Sequence, residues 1–266
     1  DTTLAERFAA ALATELRAVG VTLDYAPVLD IHTNPKNPVI GDRALAEQAR
    51  SVAELGAAIV RVLQQHGVAA CGKHFPGHGD TSTDSHHELP LIEHPPELLR
   101  EREFLPFRAA IAAGVATIMT AHVFIPALDE ERPATLSKRI VTGLLREELG
   151  FSGVIISDDL EMKALAGERA VPDSALEAIE AGCDAVLICS GETDAQAAAV
   201  EALVRQVEND RAFKKRVEDA LTRNQRAKER FLTTAANSAP LDSAALRRVL
   251  GQDAHQRTAG DMARYA

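Results

Sequence analysis

At 266 residues, 46% hydrophobic and 26% charged, the chain has the makeup of a soluble globular protein with room for one large domain or two small ones. Its formal net charge of -10 argues against a nucleic-acid or anionic-membrane partner, because both need clustered Lys and Arg to displace counterions. No apolar run approaches the roughly 18 residues of a membrane span, and Cys71, Cys183 and Cys189, an odd number set in or beside apolar runs, read as buried free thiols rather than a disulfide framework.

The first residues, Asp1-Thr2-Thr3-Leu4-Ala5-Glu6, read as a helix start rather than a signal peptide, although the chain has no initiator Met and a targeting segment could precede Asp1. Helical periodicity runs from Leu4 to Val19, and after Gly20 the stretch from Val21 to Asp30 reads as a strand and its loop. A second helix is expected over Leu45 to Gln65, followed by the apolar run Gly67-Val68-Ala69-Ala70-Cys71-Gly72. A third covers Glu97 to Ala113, closed by Gly114, before a strand over Val115 to Val123. Leu136 to Leu149, with Thr135 as the expected cap and Gly150 as the stop, leads into the strand at Gly153-Val154-Ile155-Ile156-Ser157-Asp158. Ser174 to Ala181, stopped by Gly182, leads into a fifth strand over Asp184 to Cys189. Beyond Gly191 the sequence is helical and charged, with no further strand.

Five short strands separated by helices require a parallel sheet. Polar residues close each of them: Asp30, Lys73 with His74, His122, Asp158 with Asp159, and Ser190. One rim bearing all of these favours a barrel mouth over an open doubly wound sheet, where ligands gather at a single switch point. The expected fold is therefore α/β of the (β/α)8 TIM-barrel type, incomplete, with five of eight strands readable. A chain lacking its N-terminal strands explains this better than an open, degenerate barrel. The expected organisation is a barrel domain over 1–235 and a helical tail over 236–266.

Two constellations carry chemistry. Alternation along a strand puts Asp158 on the face of Val154 and Ile156 and Asp159 on the other, so one of the two must face the mouth. A carboxylate there can act as nucleophile, base or metal ligand, whereas Asp159 fits the role of bonding backbone amides at the next helix start. The second is the loop from Lys73 to Pro90, KHFPGHGDTSTDSHHELP, where Asp84-Ser85-His86 follows Gly77 and Gly79. An Asp two residues before a His can accept its N–H, fix its tautomer and favour its protonated form, which makes a proton donor near neutral pH. His74, Asp80, Asp84 and His86 could also be written as metal ligands, but their spacing follows no metal pattern such as HExxH, and no metal or organic cofactor is expected.

That loop, together with Ala26-Pro27-Val28-Leu29-Asp30 and Ile156-Ser157-Asp158-Asp159-Leu160-Glu161-Met162, closely resembles the β-N-acetylhexosaminidases of glycoside hydrolase family 3, over about Leu16 to Cys189. The resemblance implies that Asp158 is the nucleophile, that Asp84 and His86 form the acid/base dyad, that Lys73 and His74 grip sugar hydroxyls, and that Arg43, in Gly41-Asp42-Arg43, contacts the sugar. His122 falls at a matching rim position, with a packed structural role equally open. The family's Asp-Gln-Glu-Gly-Gly-Arg segment is absent, in keeping with missing early strands. The function implied is a retaining exo-β-N-acetylglucosaminidase acting on muropeptides or chitooligosaccharides through a glycosyl-aspartate. A phosphorylase using the same dyad, or an inactive sugar-binding fragment, are the alternatives. A monomer is expected, and the resemblance leans towards the cytoplasm, with export left open.

Overall fold

The computed structural model describes residues 1–81, 89–167, 169–236 and 242–264. Five parallel strands, β1 (Leu23–Asp24), β2 (Ala69–Phe75), β3 (Thr117–Thr120), β4 (Val154–Asp159) and β5 (Ala185–Leu187), lie side by side in chain order. That order has no reversal and hence no switch point of the doubly wound kind, and the sheet forms the curled half-barrel expected of five consecutive barrel strands.

Helix α1 (Thr2–Ala18) starts where the Asp1 carboxylate accepts the amides of Thr3 and Leu4, satisfying two of the four orphan donors of a first turn. Its buried stripe, Ala5, Ala9 and Ala13, repeats at helical spacing and joins one core with Ile59, Val60 and Leu63 of α2 (Ala49–Gln65). Each large aliphatic side chain so buried contributes about 1.5–3 kcal/mol. The second crossover, from β2 to β3, is helical over Phe104–Ala112, here α3, and its Phe104 and Phe107 pack on Phe75 of β2, the latter edge-on with centroids 5.2 Å apart.

Two expectations are corrected here. Thr135 does not cap the following helical stretch, Arg139–Glu148, which is π-helical; the amide of Ile140 bonds instead to Ser137 Oγ at 3.1 Å, while Thr135 is wholly buried with its hydroxyl on the Ala121 carbonyl. Cys71 and Cys183 are buried as expected, but β5 ends at Leu187, which leaves Cys189 exposed.

Helix α4 (Val171–Ala181) ends at Gly182, whose φ of 127° only glycine adopts readily. After β5, α5 (Thr193–Asn209) and α6 (Arg211–Ala236) follow. Phe231 of α6 packs on Leu23, Ala69 and Ala116, at the N-terminal ends of β1, β2 and β3, so α6 lies across that end of the sheet. Asp184, just before β5, has no exposed side-chain surface and accepts from Arg146 at 2.6 Å, from Arg216, from Arg223 at 3.2 Å and from the Ile155 amide at 3.0 Å. The short helices α7 (Ser243–Val249) and α8 (Asp253–Met262) return to α1 through His255 and Glu15, 2.6 Å apart, and Arg7 and Asp261, 3.0 Å apart. Among the described residues no helix is long and apolar enough to cross a membrane. With α6 and its arginines at the N-terminal ends, the polar strand ends lie at the opposite edge.

Candidate active site

Alternation along β4 sorts its apolar residues between two faces. Val154 and Ile156 line an inner cavity of about 240 Å³ with Leu23, Ala69, Thr117 and Phe231, while Ile155, of opposite parity, joins the core beneath the helices. Asp158 lies half-buried at the strand's C-terminal end, where the pairing with β5 shifts register between Ile156 and Asp159, and its charge acts on Cys71 and Lys73, which are on the inner face of β2. The Asp159 amide donates to Asp158 Oδ1 at 2.8 Å, and among the described residues Asp158 Oδ2 accepts no hydrogen bond. Asp159 Oδ1 accepts the amides of Glu161 and Cys189, both at 3.2 Å, tying the end of β4 to the chain that leaves β5.

On β2 the same parity carries Ala69, Cys71 and Lys73 inward. Lys73 is half-buried; burial and the neighbouring Arg43 charge pull its ammonium below the ordinary lysine range, against the opposing pull of Asp158 and Asp24. Asp158 is thus within electrostatic reach of Lys73, and also of His78 and His122. Burial pushes the Cys71 thiol up to about 12, so it stays protonated and inert.

Beyond Lys73, at the cis Lys73–His74 peptide, simple alternation stops, because the pairing with β3 shifts register between Gly72 and Phe75, and an extended stretch after β1 runs alongside. The Cys71 amide bonds to Ala26 O at 2.8 Å, and Leu29 N to Lys73 O at 2.6 Å. This close approach depends on two glycines, since a Cβ on Gly56 or Gly72 would fall 2.4 or 2.7 Å from the Leu29 side chain. The chain is thereby carried to Asp30, whose carboxylate has no exposed surface and accepts from His74 Nδ1 at 2.7 Å, from His74 N at 3.2 Å and from His78 N at 2.7 Å. Burial alone would raise this carboxyl; the charge and hydrogen bond of His74, with help from His78, outweigh it and hold it below the ordinary range. With Nδ1 engaged, Nε2 is the ring atom His74 has left for a ligand.

Arg43 is exposed at the end of a single 3-10 turn, Gly41–Arg43, with Nη1 donating to Val39 O at 3.1 Å. Asp84 and His86 lie outside the described residues. Of the metal-ligand set weighed from sequence, His74 is paired with Asp30 and Asp80 with His94, so these two are committed to different partners. Asp80 is also met by Arg102 at 3.3 Å; burial would raise its carboxyl, but bonds from His94 and Thr33 and the Arg102 charge bring it below the ordinary value. His122 has no exposed surface: Nε2 donates to the Asp159 carbonyl at 2.9 Å and Nδ1 lies 2.8 Å from Thr135 Oγ1. Both nitrogens have partners inside the protein, which is what the packed structural reading requires. The residues the motifs did not single out are Asp30 as the partner of His74, and Asn37 and Thr81 beside it. A strand-end acid followed by an Asn-Pro-rich loop was the available signal.

The family description "Glycosyl hydrolase family 3 N terminal domain" matches residues 1–227. The chain is 44% identical to a glycoside hydrolase family 3 β-N-acetylglucosaminidase from Paenibacillus sp. str. FPU-7, with a TM-score of 0.91 over 97% of this chain and 48% of that one. It is 43% identical over 189 residues to a beta-hexosaminidase of Stenotrophomonas maltophilia (strain K279a), covering 71% of this chain and 56% of that protein. With Beta-hexosaminidase A of Pseudoalteromonas piscicida it shares 39% identity over 196 residues, 69% of this chain and 33% of the other. The chain therefore spans about half, or less, of the length of the curated relatives it matches. Strand order, the loops that carry the motifs, and a match running from residue 1 to 227 lead to one conclusion: the chain belongs to glycosyl hydrolase family 3.

Proposed function

We propose that the protein takes part in retaining hydrolysis of terminal β-linked N-acetylglucosamine, from muropeptides or chitooligosaccharides, with Asp158 as the nucleophile. The observation that carries this reading is the placement of Asp158: a half-buried carboxylate at a strand terminus, one oxygen held by the Asp159 amide, the other without a hydrogen bond among the described residues, beside the Lys73 charge. The names of the Paenibacillus and Stenotrophomonas relatives support the substrate class.

In this mechanism Asp158 Oδ2 attacks the anomeric carbon as the glycosidic bond breaks, and the leaving oxygen takes a proton from the His86 imidazolium, which Asp84 stabilises. The covalent glycosyl-Asp158 ester is then cleaved by water, whose proton returns to His86, so that two inversions leave the configuration unchanged. A carboxylic acid in this role needs its pKa raised to hold a proton at neutral pH, whereas an imidazole starts near ~6.5. Lys73, His74 through Nε2 and Arg43 hold the sugar hydroxyls. A cell-wall recycling role follows if muropeptides are the natural substrates.

The test is to incubate the protein with an activated, fluorinated N-acetylglucosaminide, which forms the ester faster than it is hydrolysed, and to digest it. The peptide containing Asp158 should gain one glycosyl mass, and product from an ordinary substrate should keep the β configuration. A label on another residue, or an inverted product, would remove Asp158 from the role. The imidazole donor does not repel an incoming phosphate as a second carboxylate would, so product is also analysed with phosphate present. A sugar 1-phosphate would make the enzyme a phosphorylase.

A further inference from the structure

Two loops supply the sugar-binding and proton-donating parts of the proposed site, and one buried side chain joins them. Asn37, 6% exposed, lies in the loop between β1 and α2. Its Oδ1 accepts the amides of Val39 at 2.9 Å and Ile40 at 2.8 Å, and so shapes the turn that runs directly into Gly41-Asp42-Arg43. Its Nδ2 donates to the carbonyls of His78 at 2.8 Å and Gly79 at 3.0 Å, and lies 3.2 Å from Thr81 Oγ1. Those residues form the root of the loop that continues to Asp84 and His86. The neighbourhood is built for the contact. Asn34 Nδ2 donates to Thr81 O at 3.0 Å, and the backbones touch so closely that a Cβ on Gly79 would fall 1.8 Å from the Ile31 carbonyl oxygen.

We propose that Asn37 is a positioning residue that couples the Arg43 turn to the root of the acid/base loop, so that sugar binding and proton donation are held in one register. The inference rests on the function proposed above for this site. Its physical basis is the two-sided character of a primary amide, which presents an acceptor to one loop and donors to the other. No charged or purely accepting group of the same shape can do both. A carboxylate at this position keeps both bonds to the Val39 and Ile40 amides but turns the other oxygen against the carbonyls of His78 and Gly79. An Asn37→Asp variant therefore separates the two halves of the coupling, whereas Asn37→Ala removes both.

The experiment compares wild type, Asn37→Asp and Asn37→Ala in two assays. The first measures kcat and KM on an aryl N-acetylglucosaminide, whose leaving group departs without a proton, and on chitobiose, whose leaving group needs one. The second follows amide hydrogen exchange over residues 77–81 and 39–44. Asn37→Asp should lower kcat on chitobiose on the order of 10–100-fold, part of the roughly 10²–10⁴ that a placed acid supplies, with the aryl substrate changed less than about threefold in kcat and KM. Exchange should quicken over 77–81 and stay at the wild-type rate over 39–44. Asn37→Ala should raise KM on both substrates and quicken exchange in both segments. Equal kcat losses on the two substrates in Asn37→Asp, or exchange rising alike in both segments or in neither, would overturn the coupling. If wild type turns over neither substrate, the proposed function fails on its own, and the exchange pattern still decides the coupling.

Discussion

His74 Nδ1 lies 2.7 Å from Oδ2 of Asp30, and the same wholly buried carboxylate receives the backbone amides of His74 and His78. One acid from the loop after β1 thus sets both the ring orientation of a proposed sugar-binding histidine and the path of the chain beyond it. Replacing Asp30 by Asn would turn an N–H toward donors already there. Breaking a buried pair of this kind costs about 3–5 kcal/mol, so Asp30→Asn should lose stability of that order in urea unfolding. Its KM for N-acetylglucosaminides should also rise.

The same pair governs acid stability. Because the Asp30 carboxyl is held below its ordinary value in the folded protein, its contribution is present in full above the unfolded value of about 4 and is lost as pH falls through the depressed native value. Urea midpoints should accordingly fall below about pH 4 in the wild type, and Asp30→Asn should flatten part of that decline. An unaltered acid limb in the variant would mean that Asp30 is not a source of it.

Gly79 should tolerate no side chain. The added Cβ would meet three backbone atoms of Ile31, the nearest at 1.8 Å, and backbone cannot swing aside as a flexible side chain does. Gly79→Ala is expected to lose about 1–3 kcal/mol or more, as overpacked interiors do, and to lose turnover with it. Gly260, in α8, has nothing within 4 Å of its Cβ position, and Gly260→Ala should be neutral or stabilising by up to about 1 kcal/mol. Thermal unfolding of the two variants side by side checks both.

Asp158→Ala should reduce turnover by roughly 10⁴-fold or more while leaving the fold intact, since the residue is half-buried and bonds only its neighbour's amide among the described residues. His86→Ala should cripple chitobiose hydrolysis yet spare aryl glycosides that leave without protonation. Steady-state kinetics on the two substrate types distinguish the roles; equal losses in His86→Ala would contradict proton donation.

At the far end of the sheet Asp184 should matter for folding alone. Three arginines, Arg146, Arg216 and Arg223, converge on it, and its removal leaves their charges crowded and partly buried. Asp184→Ala is expected to cost about 3–5 kcal/mol in urea unfolding, with kcat and KM of the remaining folded fraction unchanged.

Much of this was legible in the sequence because it rests on local rules. Strand alternation put Val154 and Ile156 on one face of β4, glycines marked the helix ends at Gly114, Gly150 and Gly182, and polar residues at each strand terminus announced a common rim. The composition of the loop from Lys73 to Pro90 pointed to chemistry before any fold was known. Such features depend on residues a few positions apart, where the geometry of a strand or a turn is nearly independent of the rest.

The tertiary structure decided what depends on residues far apart in the chain. Thr135 read as a helix cap, but its hydroxyl serves Ala121 and lies beside His122, leaving Ser137 to meet the open amide of Ile140. His122 stood at the rim with two roles open, and the packing gave both ring nitrogens partners inside the protein. Asp30 and His74, 44 residues apart, and Asn37 and His78, 41 apart, meet only because Gly56 and Gly72 let Leu29 press one loop against β2. Which polar side chain faces a ligand and which holds its neighbour is set by three-dimensional packing, because burial forces every donor and acceptor to take the partner the fold puts beside it.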